Sequence, residues 1–81
     1  MINCEVHDVL ELACIYRIEV QLTLSDGTSI SGIASTTRTG QNKHEYLVIE
    51  HTDGPVEVDM ESIKMMRALT RNPHFTEVDV Y

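Results

Sequence analysis

The chain has no tryptophan, one phenylalanine and three tyrosines, so aromatics make up 5% of its 81 residues. A core must therefore be built from Val, Ile, Leu and the four Met, and the aromatic platform on which single-stranded nucleic acid stacks has few donors. Basic residues are equally scarce. Six Lys and Arg face 13 Asp and Glu, for a formal net charge of −7. The six (Arg17, Arg38, Lys43, Lys64, Arg67, Arg71) form no cluster that could replace counterions along a phosphate backbone. The field at a distance is negative, which repels nucleic acid and anionic membranes and attracts basic protein surfaces. No apolar run approaches the ~20 residues of a membrane-spanning helix. The start, MINCEVHDVLELAC, carries acids where an export signal carries Lys or Arg, so a cytoplasmic location is expected.

Two cysteines, Cys4 and Cys14, are too few for a disulfide framework. With His7 they read C-x2-H-x6-C, a spacing of no standard zinc module, and no metal or other cofactor is expected. Phosphate-binding, dinucleotide-binding, zinc-protease and nucleophile-elbow motifs are all absent. The four His fall one per element, and no acid pair sits where one member would be tuned against the other, so no enzyme is expected.

What is present is alternation. In Arg17–Leu24, Ile18, Val20, Leu22 and Leu24 alternate with polar residues, as in a half-buried strand. Ser25-Asp26-Gly27-Thr28 supplies a tight hairpin turn, and a return strand begins at Ser29. Gly32, inside that strand, marks a sharp bend or a close backbone approach. Ser35–His44 is polar throughout and reads as a hairpin loop with frayed strand ends. Glu45–His51 is a nearly continuous apolar strand, expected near the middle of the sheet. Thr52-Asp53-Gly54-Pro55 turns the chain into a fourth strand, where Val56, Val58 and Met60 alternate with Glu57, Asp59 and Glu61 on a solvated acidic face. A single 3₁₀ turn at Met60–Ile63, a fifth strand to Leu69 and a last edge strand at about 75–80 complete the set. Ahead of the strands, Asp8 and Glu11 fit a D-x-x-E capping box opening a helix over about 8–16, with Met1–Glu5 extended. Leu10, Ala13 and Cys14, with Val6 a turn earlier, form the stripe that faces the sheet, while Val9 and Leu12 lie off it. The expected fold is one domain over 1–81, mainly β. It is a small five- to six-stranded antiparallel barrel, with its strands over about 17–69 and one N-terminal α-helix.

The pattern V-x-L-x-x-D-G-x-x-x-x-G-x-x-A, from Val20 to Ala34, resembles the first half of the Sm-like (SH3-like) barrel motif. Together with Ile2-Asn3-Cys4, Asp8-x-Leu10-Glu11-Leu12-Ala13-Cys14 and Glu45-Tyr46-Leu47-Val48, it resembles the Rof (YaeO) family of Rho-binding antiterminators over roughly residues 2–67. The resemblance implies an inhibitor of the hexameric termination factor Rho, one that docks on Rho's N-terminal domain over its primary RNA-binding site. It also implies the contact residues: Glu5, His7, Asp8 and Glu11 on the helix, and Arg38, Gln41, Asn42 and Lys43 in the loop between the second and third strands. His7 stands where the family has an aromatic, and the tail after Ala68 departs from the family. The free protein is expected to be a monomer that binds neither nucleic acid nor membrane. The competing reading is an Sm-like RNA-binding module.

Overall fold

The computed structural model describes residues 4–80. The expected extended start over Met1–Asn3 lies outside them. Helix α1 (Cys4–Ile15) is followed by β1 (Glu19–Leu24), β2 (Ser29–Thr39), β3 (Glu45–His51), β4 (Gly54–Asp59), a 3₁₀ turn (Met60–Ser62), β5 (Ile63–Ala68) and β6 (Glu77–Asp79). All strand pairs are antiparallel and make one sheet of order β4-β3-β2-β1-β5-β6. This is the mainly-β fold with one N-terminal helix that alternation predicts.

Connectivity forces the sheet to curl. In a flat sheet β4 and β5 would lie four strand spacings apart, roughly 19 Å. The chain from Asp59 to Ile63 can span at most about 14 Å fully extended, and the intervening 3₁₀ turn shortens it further. The sheet must therefore roll to bring its first and fifth strands together. The rolled interior holds Val20, Leu22, Ala34, Leu47, Ile49, Val58, Met60, Ile63 and Met66, all buried in one cluster.

The roll is concentrated in β2, which pairs with β1 through Ser29–Ile33 and with β3 through Ile33–Thr39. Ser35 is an extra residue between Ala34 and Thr36, a bulge that bends the strand. Gly32 is required by close approach: a Cβ there would lie 2.4 Å from Ile49 Cγ2 and 2.5 Å from the Glu50 carbonyl oxygen. The β1–β2 turn is longer by one residue than a two-residue hairpin. Leu24 N–H donates to Thr28 O and Gly27 N–H to Leu24 O, with Gly27 at φ +91 and Asp26 Oδ1 accepting from Thr28 N–H. That is a three-residue loop closed by a left-handed glycine.

Several sequence expectations are corrected. The helix begins at Cys4, so Asp8 lies in its second turn and caps nothing, and Glu5 opens its first turn. Val9 packs on the core beside Val6, Leu10, Ala13 and Cys14; the stripe is thus 6, 9, 10, 13, an i, i+3, i+4, i+7 pattern. Only half of Ser35–His44 is loop, because β2 runs to Thr39 and the turn is 40–44. β3 is internal, with β2 and β4 on either side, but next to the sheet margin rather than at its middle. The acidic face of β4 is not simply solvated: Glu57 binds Arg38, and Asp59 Oδ2 lies 2.7 Å from His44 Nδ1. The two marginal strands carry the same triplet, Glu57-Val58-Asp59 in β4 and Glu77-Val78-Asp79 in β6, each with its valine inside and its first acid exposed.

The helix ends without glycine. Ile18 N–H donates to Ala13 O at 2.9 Å and Arg17 N–H to Cys14 O at 3.1 Å, with Arg17 at φ +49. This is a Schellman closure whose left-handed position is filled by arginine. An L-residue with a Cβ costs about 1 kcal/mol there, so Arg17→Gly is expected to stabilise the fold by about that amount in urea unfolding. Gly32→Ala is expected to destabilise by about 1–3 kcal/mol in the same assay, because the Glu50 carbonyl cannot yield as a side chain would.

A third expectation concerns pH. The hydrogen bond to Asp59 raises the pKa of His44 above the ordinary 6.5, and the same bond holds Asp59 below the ordinary 3.8. The raised His44 value gives stability that is full below the unfolded value and disappears as pH rises through the folded one. The lowered Asp59 value gives stability that is present above 3.8 and disappears as pH falls through its folded value. His44→Gln should therefore reduce the melting temperature most near about pH 5–6 and converge on wild type above about pH 8.

Candidate functional site

Helix α1 lies against β2 and touches β6. Its inward stripe buries Leu10 and Ala13 completely, which fixes its rotation about its own axis. That rotation sends Glu5, Asp8 and Glu11 outward, and all three are exposed. The row follows from three-residue spacing on a helix, and the last turn contains no basic residue to offset it.

His7 stands between this row and the sheet. Its Nδ1 lies 3.0 Å from Glu11 Oε1 within the helix, and its Nε2 lies 3.0 Å from Glu45 Oε1 at the start of β3. Glu45 immediately follows the 40–44 turn. The ring thus joins the two regions that the resemblance singles out, which lie far apart in sequence. In the turn, Gly40 N–H donates to His44 O, Lys43 N–H donates to Gly40 O, and Asn42 Oδ1 accepts from His44 N–H. Asn42 Nδ2 also donates to the Tyr46 hydroxyl at 3.2 Å. Gln41, Asn42 and Lys43 are exposed at the tip, with Lys43 in the left-handed region at φ +67.

Arg38 does not join them. It sits on β2 opposite Tyr46, bound to Glu57 through Nε and through Nη2 at 3.1 Å, with its guanidinium 5.0 Å from the Tyr46 ring centre. An arginine so engaged is a brace between β2 and β4 and not a loop contact. At the far end of the helix, Ile15 is 69% exposed, and Tyr16 stacks on His74 with ring centres 4.4 Å apart. A groove of about 270 Å³ between α1 and β2 is lined by Glu11, Cys14, Ile15, Ser35, Thr36 and Thr37.

Burial, and after it the charge of Glu11, pushes the Cys14 thiol up to about 11, which leaves it protonated and a poor nucleophile at neutral pH. Among the described residues two groups bring ligand-type atoms within 4.8 Å of one another: His7, Asp8 and Glu11, and His44, Asp59 and Glu61. In the first, His7 faces Glu11; in the second, His44 faces Asp59 at 2.7 Å and Glu61 at 3.8 Å. The helix's acids were legible as a periodic pattern. The His7–Glu45 and Arg38–Glu57 contacts join residues 38 and 19 apart, and no local signal announces them.

Known proteins resemble this chain in sequence and fold. Residues 1–80 match the family described as modulator of Rho-dependent transcription termination (ROF). Protein rof of Escherichia coli K12 is 37% identical over 62 residues, spanning 76% of this chain and 73% of that protein, and protein rof of Shigella flexneri matches equally. The solved structure of magnesium-bound YaeO from Vibrio cholerae O395 superposes with a TM-score of 0.83 at 26% identity, over 89% of this chain and 94% of that one. No helix among the described residues is long and apolar enough to cross a membrane. With all but its last residue matched, the chain belongs to the Rof family, whose members are modulators of Rho-dependent transcription termination.

Proposed function

We propose that this protein binds the N-terminal domain of Rho over its primary RNA-binding site and so causes read-through at Rho-dependent terminators. The observation that carries the reading is the exposed row Glu5, Asp8 and Glu11 on a rigidly seated helix, adjoining the 40–44 turn. A surface that grips single-stranded RNA offers cations spaced for phosphates. Carboxylates on a helix surface, about 5–6 Å apart at three-residue steps, can occupy such cations in place of phosphates. The net charge of −7 would steer the encounter and also disfavours direct RNA binding by this protein. The role needs no cofactor and places the protein in the cytoplasm, as a monomer meeting the hexamer.

Gln41, Asn42 and Lys43 form the second part of the proposed contact, held at the helix's side by His7 and Glu45. Arg38 is dropped from the contact set, since Glu57 and Tyr46 occupy it. The test is binding to Rho by calorimetry together with displacement of a pyrimidine-rich RNA from it. Wild type should compete with the RNA and lose affinity as salt rises. Asp8→Lys with Glu11→Lys should cost about 2–5 kcal/mol of binding while leaving the melting temperature within a few degrees. Unchanged affinity in that double variant would remove the helix from the interface. Tight binding of uridine-rich RNA by the isolated protein would instead favour an RNA-binding module.

A further inference from the structure

The groove between α1 and β2 opens beside the last member of the acid row. Glu11 belongs to both, and the exposed Ile15 follows it one turn along the helix. At about 270 Å³ the groove falls below the roughly 300–1,000 Å³ of sites that take drug-sized ligands, and it suits a single side chain. Its walls differ in chemistry. The helix side offers the Glu11 carboxylate and two apolar groups, Ile15 and the protonated thiol of Cys14. Ser35, Thr36 and Thr37 line the β2 side. A regular strand sends successive side chains to opposite faces, and the bulge at Ser35 interrupts that alternation at this wall. Two hydroxyl protons there are already given away: Ser35 Oγ donates to Glu50 Oε1 at 3.4 Å, and Thr36 Oγ1 to the Thr37 carbonyl at 3.3 Å. What those hydroxyls still offer is lone pairs. Glu11 Oε1 lies 3.0 Å from His7 Nδ1, and a carboxylate has further acceptor sites to spare. Among the described residues that line the groove, none is basic.

We infer that this groove is a receptor slot for an arginine side chain of Rho. The inference rests on the reading of α1 as the Rho-contacting face and deepens it by naming the partner group. Acceptors stand on two walls, a carboxylate on the helix and hydroxyl oxygens on the strand. A ligand that satisfies both must be a forked donor with no acceptors of its own. A guanidinium meets that description: its N–H groups fan out in one plane, it is always charged, and it is more weakly hydrated than an ammonium. Its aliphatic stem needs an apolar strip to lie on, which Cys14 and Ile15 supply. A lysine would bring its charge to Glu11 as a point and leave the hydroxyls of the far wall unserved. A phosphate or carboxylate group is disfavoured by the same walls, because it would meet acceptors on both sides. The acid row attracts any cation; the slot selects one by shape.

The direct probe is argininamide, titrated into the full chain and followed by amide and methyl NMR, with lysinamide in a parallel titration. Argininamide should shift the signals of Ile15, Ser35 and Thr36 saturably in the millimolar range, and lysinamide should bind severalfold more weakly. Ser35→Ala with Thr36→Val removes both hydroxyls at little change in volume and should abolish the difference between the two probes. In calorimetry with the Rho hexamer, the same double variant should lose about tenfold or more in affinity with its melting temperature within a few degrees of wild type. Thr36→Val alone, at an exposed position, should go part of the way. Thr39→Val, on the same strand but outside the groove, should bind Rho as wild type does. No saturable shift at the groove, equal affinity for the two probes, or wild-type Rho affinity in a folded double variant each overturns the slot while leaving Rho binding in place. If wild type itself neither binds Rho nor displaces RNA, the Rho reading falls, and the assignment of the arginine to Rho falls with it.

Discussion

The close passage of β2 over β3 at Gly32 is the constraint on which the rest depends. The Ile49 side chain and the Glu50 carbonyl fill the space a Cβ would need. That proximity, with the bulge at Ser35, lets one strand of 11 residues serve β1 with its first half and β3 with its second. Once β2 is bent, the 3₁₀ turn can join β4 to β5 across the opening of the roll. Leu22, Leu47, Ile49, Met60, Ile63 and Met66 then share one interior. A fully buried side chain of this size is worth about 1.5–3 kcal/mol, and in so small a domain each is a large share of the total.

The helix depends on that roll and in turn carries the functional surface. Leu10 and Ala13 sink into the core and leave no rotational freedom, so the direction of Glu5, Asp8 and Glu11 follows from packing and not from electrostatics. Electrostatics enters afterward, through imidazoles placed among acids: His7 with Glu11 and Glu45, His44 with Asp59 and Glu61. The His44–Asp59 contact accordingly varies with pH where the Arg38–Glu57 pair does not.

How much was legible follows from the range of each interaction. Strands β1, β3 and β4 alternate strictly or run apolar, so their positions could be read directly, and the 3₁₀ turn was recognisable where the alternation broke at Met60. The long arm of β2 was hidden because Ser35–Thr39 is polar on both faces, although threonine favours strands. The helix start was misread because Asp8 and Glu11 satisfy a capping-box spacing that the structure does not use. The true stripe, Val6, Val9, Leu10 and Ala13, begins earlier. The acidic row came through this error intact, since its spacing holds wherever the helix starts. Arg38 looked like loop charge because its partner, Glu57, comes from a different hairpin.

Both borders of the sheet end in an acid–valine–acid triplet, Glu57-Val58-Asp59 on one side and Glu77-Val78-Asp79 on the other. Bare strand borders invite neighbouring molecules to stack on and grow into fibres. Here both borders carry acids, of which Glu57 is paired with Arg38 and Glu77 with Arg67, while Asp79 stays exposed. The repeated triplet places polar, charged side chains on the strand margins while each valine turns toward the core.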